Sequence, residues 1–262
     1  MREERETGMS ISTLGRAMAA AVFWLLGGGT MVHAQQPPGV RNIVLVHGAW
    51  ADGGSWQDVY RLLRVRGYAV SVVQNPLNSL ADDVASTRRV LDRQDGPTLL
   101  VGHSYGGAVI SEAGSHERVA GLVYVAAFMP DTGESIAALT ASGSPPPLRP
   151  SRDGYLFFEP SIFPQAFAQD LPAERGAFLA DSQKPVAGAA FAAVVSSPAW
   201  RTHPVFYVVT TEDRIIPPAA QRHWAARANA VITELRGSHA IYISQPEAVA
   251  EVIDRAARAV SR

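Results

Sequence analysis

From residue 42 onward, short apolar runs rich in β-branched residues alternate with longer amphipathic stretches. Asn42–His47 (NIVLVH) is a continuous apolar run, the mark of a strand covered on both faces. In Ser55–Arg66, apolar Trp56, Val59, Tyr60, Leu62 and Leu63 recur at helical spacing, and Gly67 supplies the stop. Tyr68–Val73 predicts a second strand, and Ser79–Arg93 a second helix with Leu80, Val84, Val90 and Leu91 inward. Pro97–Gly102 (PTLLVG) predicts a buried strand that runs into a glycine-rich turn and a helix over Tyr105–Ala113. Further strands are predicted at Val119–Ala126, Pro204–Thr210 and Ala230–Leu235, with helices at Ala219–Ala226 and Pro246–Val260. Strand–helix alternation of this kind builds an α/β fold, a mostly parallel central sheet with helices on both faces.

The stretch Asp131–Thr202 breaks the rhythm. It holds Pro145, Pro146 and Pro147, then Tyr155, Phe157, Phe158, Phe163 and Phe167, with no clear strands. Unstructured connections rarely exceed about 12–15 residues in a compact domain. A lid or cap inserted over the C-terminal edge of the sheet is therefore expected, where open α/β sheets bind their ligands. Such aromatic density calls for burial. The reading is one domain over 42–262, an insertion at about 131–202 and a linker over 35–41.

The first 34 residues carry a different signal. Arg2, Arg5 and Arg16 precede an apolar run from Ala17 to Val32, and Val32-His33-Ala34 closes it with an A-x-A-like end. This is the layout of a secretory signal peptide, with cleavage expected after Ala34 and a periplasmic or secreted product. Glu3, Glu4 and Glu6 are unusual in such a basic segment, and Met9 is an alternative start. A retained anchor is the rival, but the run falls short of the ~20 residues that span a bilayer, and Gly27–Gly29 weaken it as a helix. No stable membrane anchor is expected after cleavage.

Charge and composition remove several classes of function. The 23 basic and 24 acidic side chains leave a formal charge of −1, without the basic stripe that nucleic-acid binding needs. No cysteine is present, so thiol nucleophiles, CxxC redox chemistry and cysteine-ligated metals are excluded. Lys184 is the only lysine and the single candidate for Schiff-base chemistry. H-E-x-x-H, P-loop and post-strand G-x-G-x-x-G patterns are all missing, so neither metal nor cofactor is expected.

What remains is Gly102-His103-Ser104-Tyr105-Gly106, a G-x-S-x-G set between a predicted strand and a predicted helix. That context is the one a nucleophile elbow requires, because strand and helix nearly collide at the turn and glycines must flank the serine. Ser104 is the candidate nucleophile, and the Tyr105 amide at the helix start is a candidate oxyanion donor. Serine needs a base, and the base needs an orienting carboxylate. In this architecture they follow the serine in the order acid, then histidine. Asp213, in the loop after Pro204–Thr210, is the candidate acid; its neighbour Glu212 and Asp131 are the alternatives. His239, after Ala230–Leu235, is the candidate base. His103 is expected to pack away from the serine hydroxyl. The loop His47-Gly48-Ala49-Trp50 is expected to supply a second oxyanion amide, that of Ala49, with His47 holding backbone. Trp50, Phe128 and Met129 are expected to line an apolar substrate pocket.

Together VLVHGAW (Val44–Trp50), GHSYGG (Gly102–Gly107), VYVAAFMP (Val123–Pro130) and TEDRIIPP (Thr211–Pro218) resemble the α/β-hydrolase superfamily. They are most similar to the branch of plant methylesterases, hydroxynitrile lyases and bacterial esterase-like relatives. The resemblance covers nearly all of 41–262 and implies Ser104, Asp213 and His239 as nucleophile, acid and base, with Ala49 and Tyr105 as oxyanion donors. Two positions depart from the lyases: Gly48 stands where they carry threonine, and Ala240 where they carry lysine. The resemblance thus implies a serine esterase acting on a small-molecule ester through an acyl-enzyme. A slow-turnover receptor with a hydrolase fold and non-hydrolytic lyase chemistry on the same site are the alternatives.

Overall fold

Six parallel strands form the central sheet of the computed structural model, which describes residues 39–141 and 147–260. The signal peptide expected over 1–34, and the linker up to residue 38, lie outside the described residues. Among the described residues no helix is long and apolar enough to cross a membrane. The strands are β1 (Asn42–Val46), β2 (Ala69–Val72), β3 (Thr98–His103), β4 (Val119–Val125), and, beyond the insertion, β8 (Val205–Thr210) and β9 (Val231–Leu235). Their order is β2-β1-β3-β4-β8-β9. β1 and β3 are buried along their whole length, as their unbroken apolar runs require.

Alternate residues of these strands feed two separate cores, the two-residue period of a pleated strand. Ile43, Leu45, Leu99, Val101, Val123, Val125 and Val208 face one way. They pack against Val59 and Leu63 of α1 (Gln57–Val65) and Val249, Ile253 and Ala256 of α10 (Pro246–Ala259). Val44, Val46, Leu100, Leu122, Tyr124, Tyr207 and Val209 face the other way. There they meet α2 (Leu80–Leu91), α3 (Gly106–Ala113), α8 (Pro218–Arg227) and the insertion. Ser79 caps α2 by accepting the Asp82 amide, and Asp82 and Asp83 in the first turn suit the helix dipole.

The insertion carries α4 (Ile136–Thr140), α5 (Phe163–Phe167), α6 (Ala173–Asp181) and α7 (Gly188–Ala192). It also holds a small antiparallel sheet that the sequence pattern does not show: β5 (Leu148–Pro150), β6 (Tyr155–Phe158) and β7 (Val186–Ala187). Strands of two to four residues are too short to display an alternation, and only Phe158 and Val186 in them are fully buried. Phe158, Phe163 and Phe167 are buried as their density suggested, whereas Phe157 is exposed. The insertion is fastened to the sheet-edge loops by Trp50 Nε1–H to Leu156 O (3.0 Å), Ala187 N–H to Leu77 O (2.8 Å) and Tyr155 O–H to Asn78 Oδ1 (2.8 Å). A short α9 (Ile241–Ser244) links the loop after β9 to α10.

Candidate active site

The chain leaves β1 toward β2 on one side, and leaves β3 toward β4 on the other. The crevice between the carboxyl ends of β1 and β3 is thus a topological switch point. Ser104 sits there, directly after β3, with φ +54° in the left-handed region. That conformation costs a non-glycine residue about 1–3 kcal/mol and must be held by its surroundings. Its carbonyl accepts the Gly107 and Phe128 amides at 2.9 and 3.1 Å, and its own amide donates to Val125 O at 3.3 Å. The flanking glycines are obligatory for another reason. A Cβ on Gly102 would lie 2.6 Å from Gly106 O, and one on Gly107 would lie 2.0 Å from Phe128 O.

The loops after β8 and β9 bring Asp213 and His239 to the same crevice. Ser104 Oγ–H donates to His239 Nε2 at 2.8 Å, and His239 Nδ1–H donates to Asp213 Oδ2 at 2.8 Å. His239 is fully buried and Ser104 is 2% exposed. Asp213 Oδ2 also accepts from Thr210 Oγ1 (3.0 Å) and Gln221 Nε2 (2.9 Å). Its Oδ1 takes the Ile215 and Ile216 amides at 2.8 and 2.9 Å. All the lone pairs of this carboxylate are therefore engaged, and the group is fixed in rotation. Neither alternative acid reaches His239. Glu212 pairs with Arg236 at 2.7 Å, and Asp131 is gripped from two sides by Arg201.

A cavity of about 390 Å³ opens on Ser104. Ala49, Tyr105, Trp50 and Phe128 line it, together with Ile136, Leu148, Leu156, Phe191 and Ile215. Among the described residues, the Ala49 and Tyr105 backbone N–H groups have no acceptor. Met129, expected in this pocket, is not on its wall. It is fully buried in the core, and its carbonyl accepts from Arg227 at 2.6 Å.

Several contributors were not foreseen. Phe191 and Leu156 come from segments without a chemical motif, and Ile215 stands two residues beyond Asp213 in a motif read only for its acid. Gln221 carried a signal: with Trp224 and Ala225 it forms the buried stripe of α8, where a polar residue must find a partner. His103 does point away from the Ser104 hydroxyl, but its Nε2–H donates to the His239 carbonyl at 2.9 Å, and the two rings lie 4.7 Å apart. Complete burial holds its imidazole well below the usual histidine range. Among the described residues no group of three or more His, Asp or Glu side chains is placed to hold a metal ion.

His47 holds backbone as expected. Its Nδ1–H donates to Gly48 O at 2.8 Å, and its Nε2 accepts the Asn75 amide at 2.9 Å. Burial drops its pKa from 6.5 to about 4, because a charged ring would lose its hydration. Protonation is thus harder in the folded chain than in the unfolded one. The corresponding stability is fully present above pH 6.5 and is lost as the pH falls through about 4. It amounts to about 3 kcal/mol. Thermal melts from pH 7.5 down to 4 should therefore fall more steeply for wild type than for His47→Gln. Parallel curves would contradict this account.

A pyrethroid hydrolase of Sphingobium wenxiniae is 30% identical over 242 residues, covering 82% of this chain and 86% of that protein. A carbendazim hydrolyzing esterase of Nocardioides sp. is 35% identical over 121 residues, which cover 40% of this chain and 49% of the relative. The crystal structure of a pyrethroid hydrolase from Sphingobium faniae superposes with a TM-score of 0.72 at 25% identity, covering 84% of this chain and 98% of that one. The model of the alpha/beta hydrolase family matches residues 43–252. On fold, on matched length and on the relatives it shares that fold with, this chain belongs to the alpha/beta hydrolase family.

Proposed function

We propose that the chain hydrolyses uncharged carboxylic esters of small to medium apolar substrates through a serine acyl-enzyme. The observation that carries this reading is the unbroken Ser104–His239–Asp213 hydrogen-bond chain beside the Ala49 and Tyr105 amides, which have no acceptor among the described residues, on the wall of an apolar cavity. Ser104 Oγ attacks the ester carbonyl while His239 Nε2 takes its proton. The oxyanion that forms is met by the Ala49 and Tyr105 amides, each such donor being worth about 3 kcal/mol. His239 then returns the proton to the departing alcohol. Water, deprotonated by the same nitrogen, releases the acid and regenerates Ser104. Asp213 fixes the tautomer and stabilises the imidazolium.

The cavity wall supports neutral substrates, since among the described residues none of the side chains lining it is charged. Gly48 supports hydrolysis over cyanohydrin cleavage. A side chain there would begin 2.8 Å from Ser104 Cβ, leaving no room for the polar group a lyase places beside its serine. The test is an ester panel on the purified protein, with p-nitrophenyl esters, a pyrethroid and carbendazim, alongside labelling with a fluorophosphonate probe. Sustained multiple turnover is expected for at least the short p-nitrophenyl esters, with the probe mapped to Ser104. A single burst with retained product would identify a receptor instead.

A further inference from the structure

Lys184, the only lysine of the chain, is not on the cavity wall and plays no part in the mechanism above. Its ammonium donates to the backbone carbonyl of Asn75. Asn75 belongs to the loop between β2 and α2, and that loop is tied to both candidate oxyanion donors. On one branch, the Asn75 amide donates to His47 Nε2 at 2.9 Å and Asn75 Nδ2 donates to His47 O at 3.0 Å. The His47 ring is thereby fixed with its proton on Nδ1, which it gives to Gly48 O. Gly48 C=O and Ala49 N–H are the two ends of one planar trans peptide and point in opposite directions. Pinning the carbonyl therefore aims the Ala49 N–H, and polarising it makes that N–H a better donor.

On the other branch, the Leu77 amide donates to Asp83 Oδ1 at 2.8 Å, and Tyr105 O–H donates to Asp83 Oδ2 at 2.5 Å. Asp83 is fully buried, and Leu77 is held at φ +63°, a conformation a leucine adopts only under constraint. Tyr105 supplies the second amide. The insertion grips this loop three times, through Lys184 on Asn75 O, through Ala187 N–H on Leu77 O at 2.8 Å and through Tyr155 O–H on Asn78 Oδ1 at 2.8 Å.

We infer that Lys184 is a positioning residue: through Asn75 and His47 it couples the seating of the insertion to the aim of the Ala49 oxyanion donor, while Asp83 does the same for Tyr105. This rests on the esterase reading. It adds that the insertion is part of the transition-state machinery as well as a cover for the substrate.

The test is Lys184→Met, which keeps the aliphatic stem and loses the donor, with Lys184→Arg as the conservative rescue. Outright removal of an oxyanion donor costs about 10²–10³ in kcat, so a donor left in place but loosely aimed should cost about tenfold. For a p-nitrophenyl ester, Lys184→Met should lower kcat by about tenfold with KM within about twofold of wild type, and Lys184→Arg should recover most of the loss. Affinity for an aryl boronic acid, which mimics the tetrahedral intermediate, should weaken by the same factor as kcat. Tyr105→Phe, which cuts only the Asp83 branch, should repeat the pattern and keeps the inference testable if the methionine variant fails to fold. A Lys184→Met enzyme with wild-type kcat, or one with raised KM alone, would overturn it while leaving the esterase reading intact. Wild-type protein that neither turned over esters nor reacted with the probe would overturn both.

Discussion

Alanine in place of Ser104 will lower kcat for a short p-nitrophenyl ester by about 10⁶-fold, the loss expected when the attacking atom of a serine triad is removed. The protein itself will survive the change. Ser104 Cβ is retained, the hydroxyl makes a single hydrogen bond, to His239 Nε2, and the φ of +54° is held by the backbone bonds around the turn. A melting temperature close to wild type should therefore accompany the inactive enzyme. Catalysis will not reach zero, because the Ala49 and Tyr105 amides and the apolar cavity still bind the reacting ester, and such remnants retain about 10³–10⁴ over water. Fluorophosphonate labelling will vanish altogether, since it needs the covalent bond. Turnover of the alanine variant within tenfold of wild type would move the nucleophile elsewhere and sink the mechanism.

The place of Ser104, on a tight turn between β3 and α3, was readable from sequence because its signal is local. A buried strand, a glycine-flanked serine and a helix occupy adjacent residues, and the steric demand on Gly102 and Gly107 leaves its trace in the same few positions. The parallel sheet was readable for a related reason: β1 and β3 are covered on both faces, so their apolar runs are unbroken. The acid was a choice among Asp213, Glu212 and Asp131, all at strand ends. Only distance separates them, through the Arg236 and Arg201 pairs that occupy the other two. Met129 was misplaced because, in the irregular segment beyond β4, standing next to Phe128 in sequence does not decide whether a side chain lines the cavity or packs into the core behind it. The β5–β7 sheet was hidden by strand length. The loop from Asn75 to Leu77 left no trace at all. Apart from the Asn75 side chain on His47 O, its contacts are made by backbone amides and carbonyls, which nearly every residue possesses, and by a partner, Lys184, more than 100 positions away.

Asp213→Asn will lower kcat by about 10⁴-fold, through the wrong histidine tautomer and without a gross change of fold. The hydrogen bonds around this side chain dictate the outcome. Asp213 Oδ1 accepts the Ile215 and Ile216 amides, backbone donors that cannot turn away. An asparagine must keep its oxygen there, which puts its NH₂ where Oδ2 stood, facing His239 Nδ1, Thr210 Oγ1 and Gln221. The threonine hydroxyl can reverse, whereas Gln221 cannot flip, because its Oε1 accepts the Thr210 amide and its Nε2 donates to the Ile216 carbonyl; its N–H is left facing the new NH₂, which costs some stability. His239 adapts by accepting on Nδ1 and carrying its proton on Nε2, the nitrogen that must take the proton from Ser104. The base is then occupied before the reaction starts. Fluorophosphonate labelling should slow by a similar factor, because it uses the same activated oxygen, while the melting temperature falls by several degrees through the buried donor–donor contact at Gln221. Glu212→Gln and Asp131→Asn, made in parallel, should each keep kcat within a few-fold of wild type, since the arginines on those carboxylates lie outside the hydrogen-bond chain. If one of them fell by 10⁴ while Asp213→Asn stayed active, the acid would have been assigned to the wrong loop.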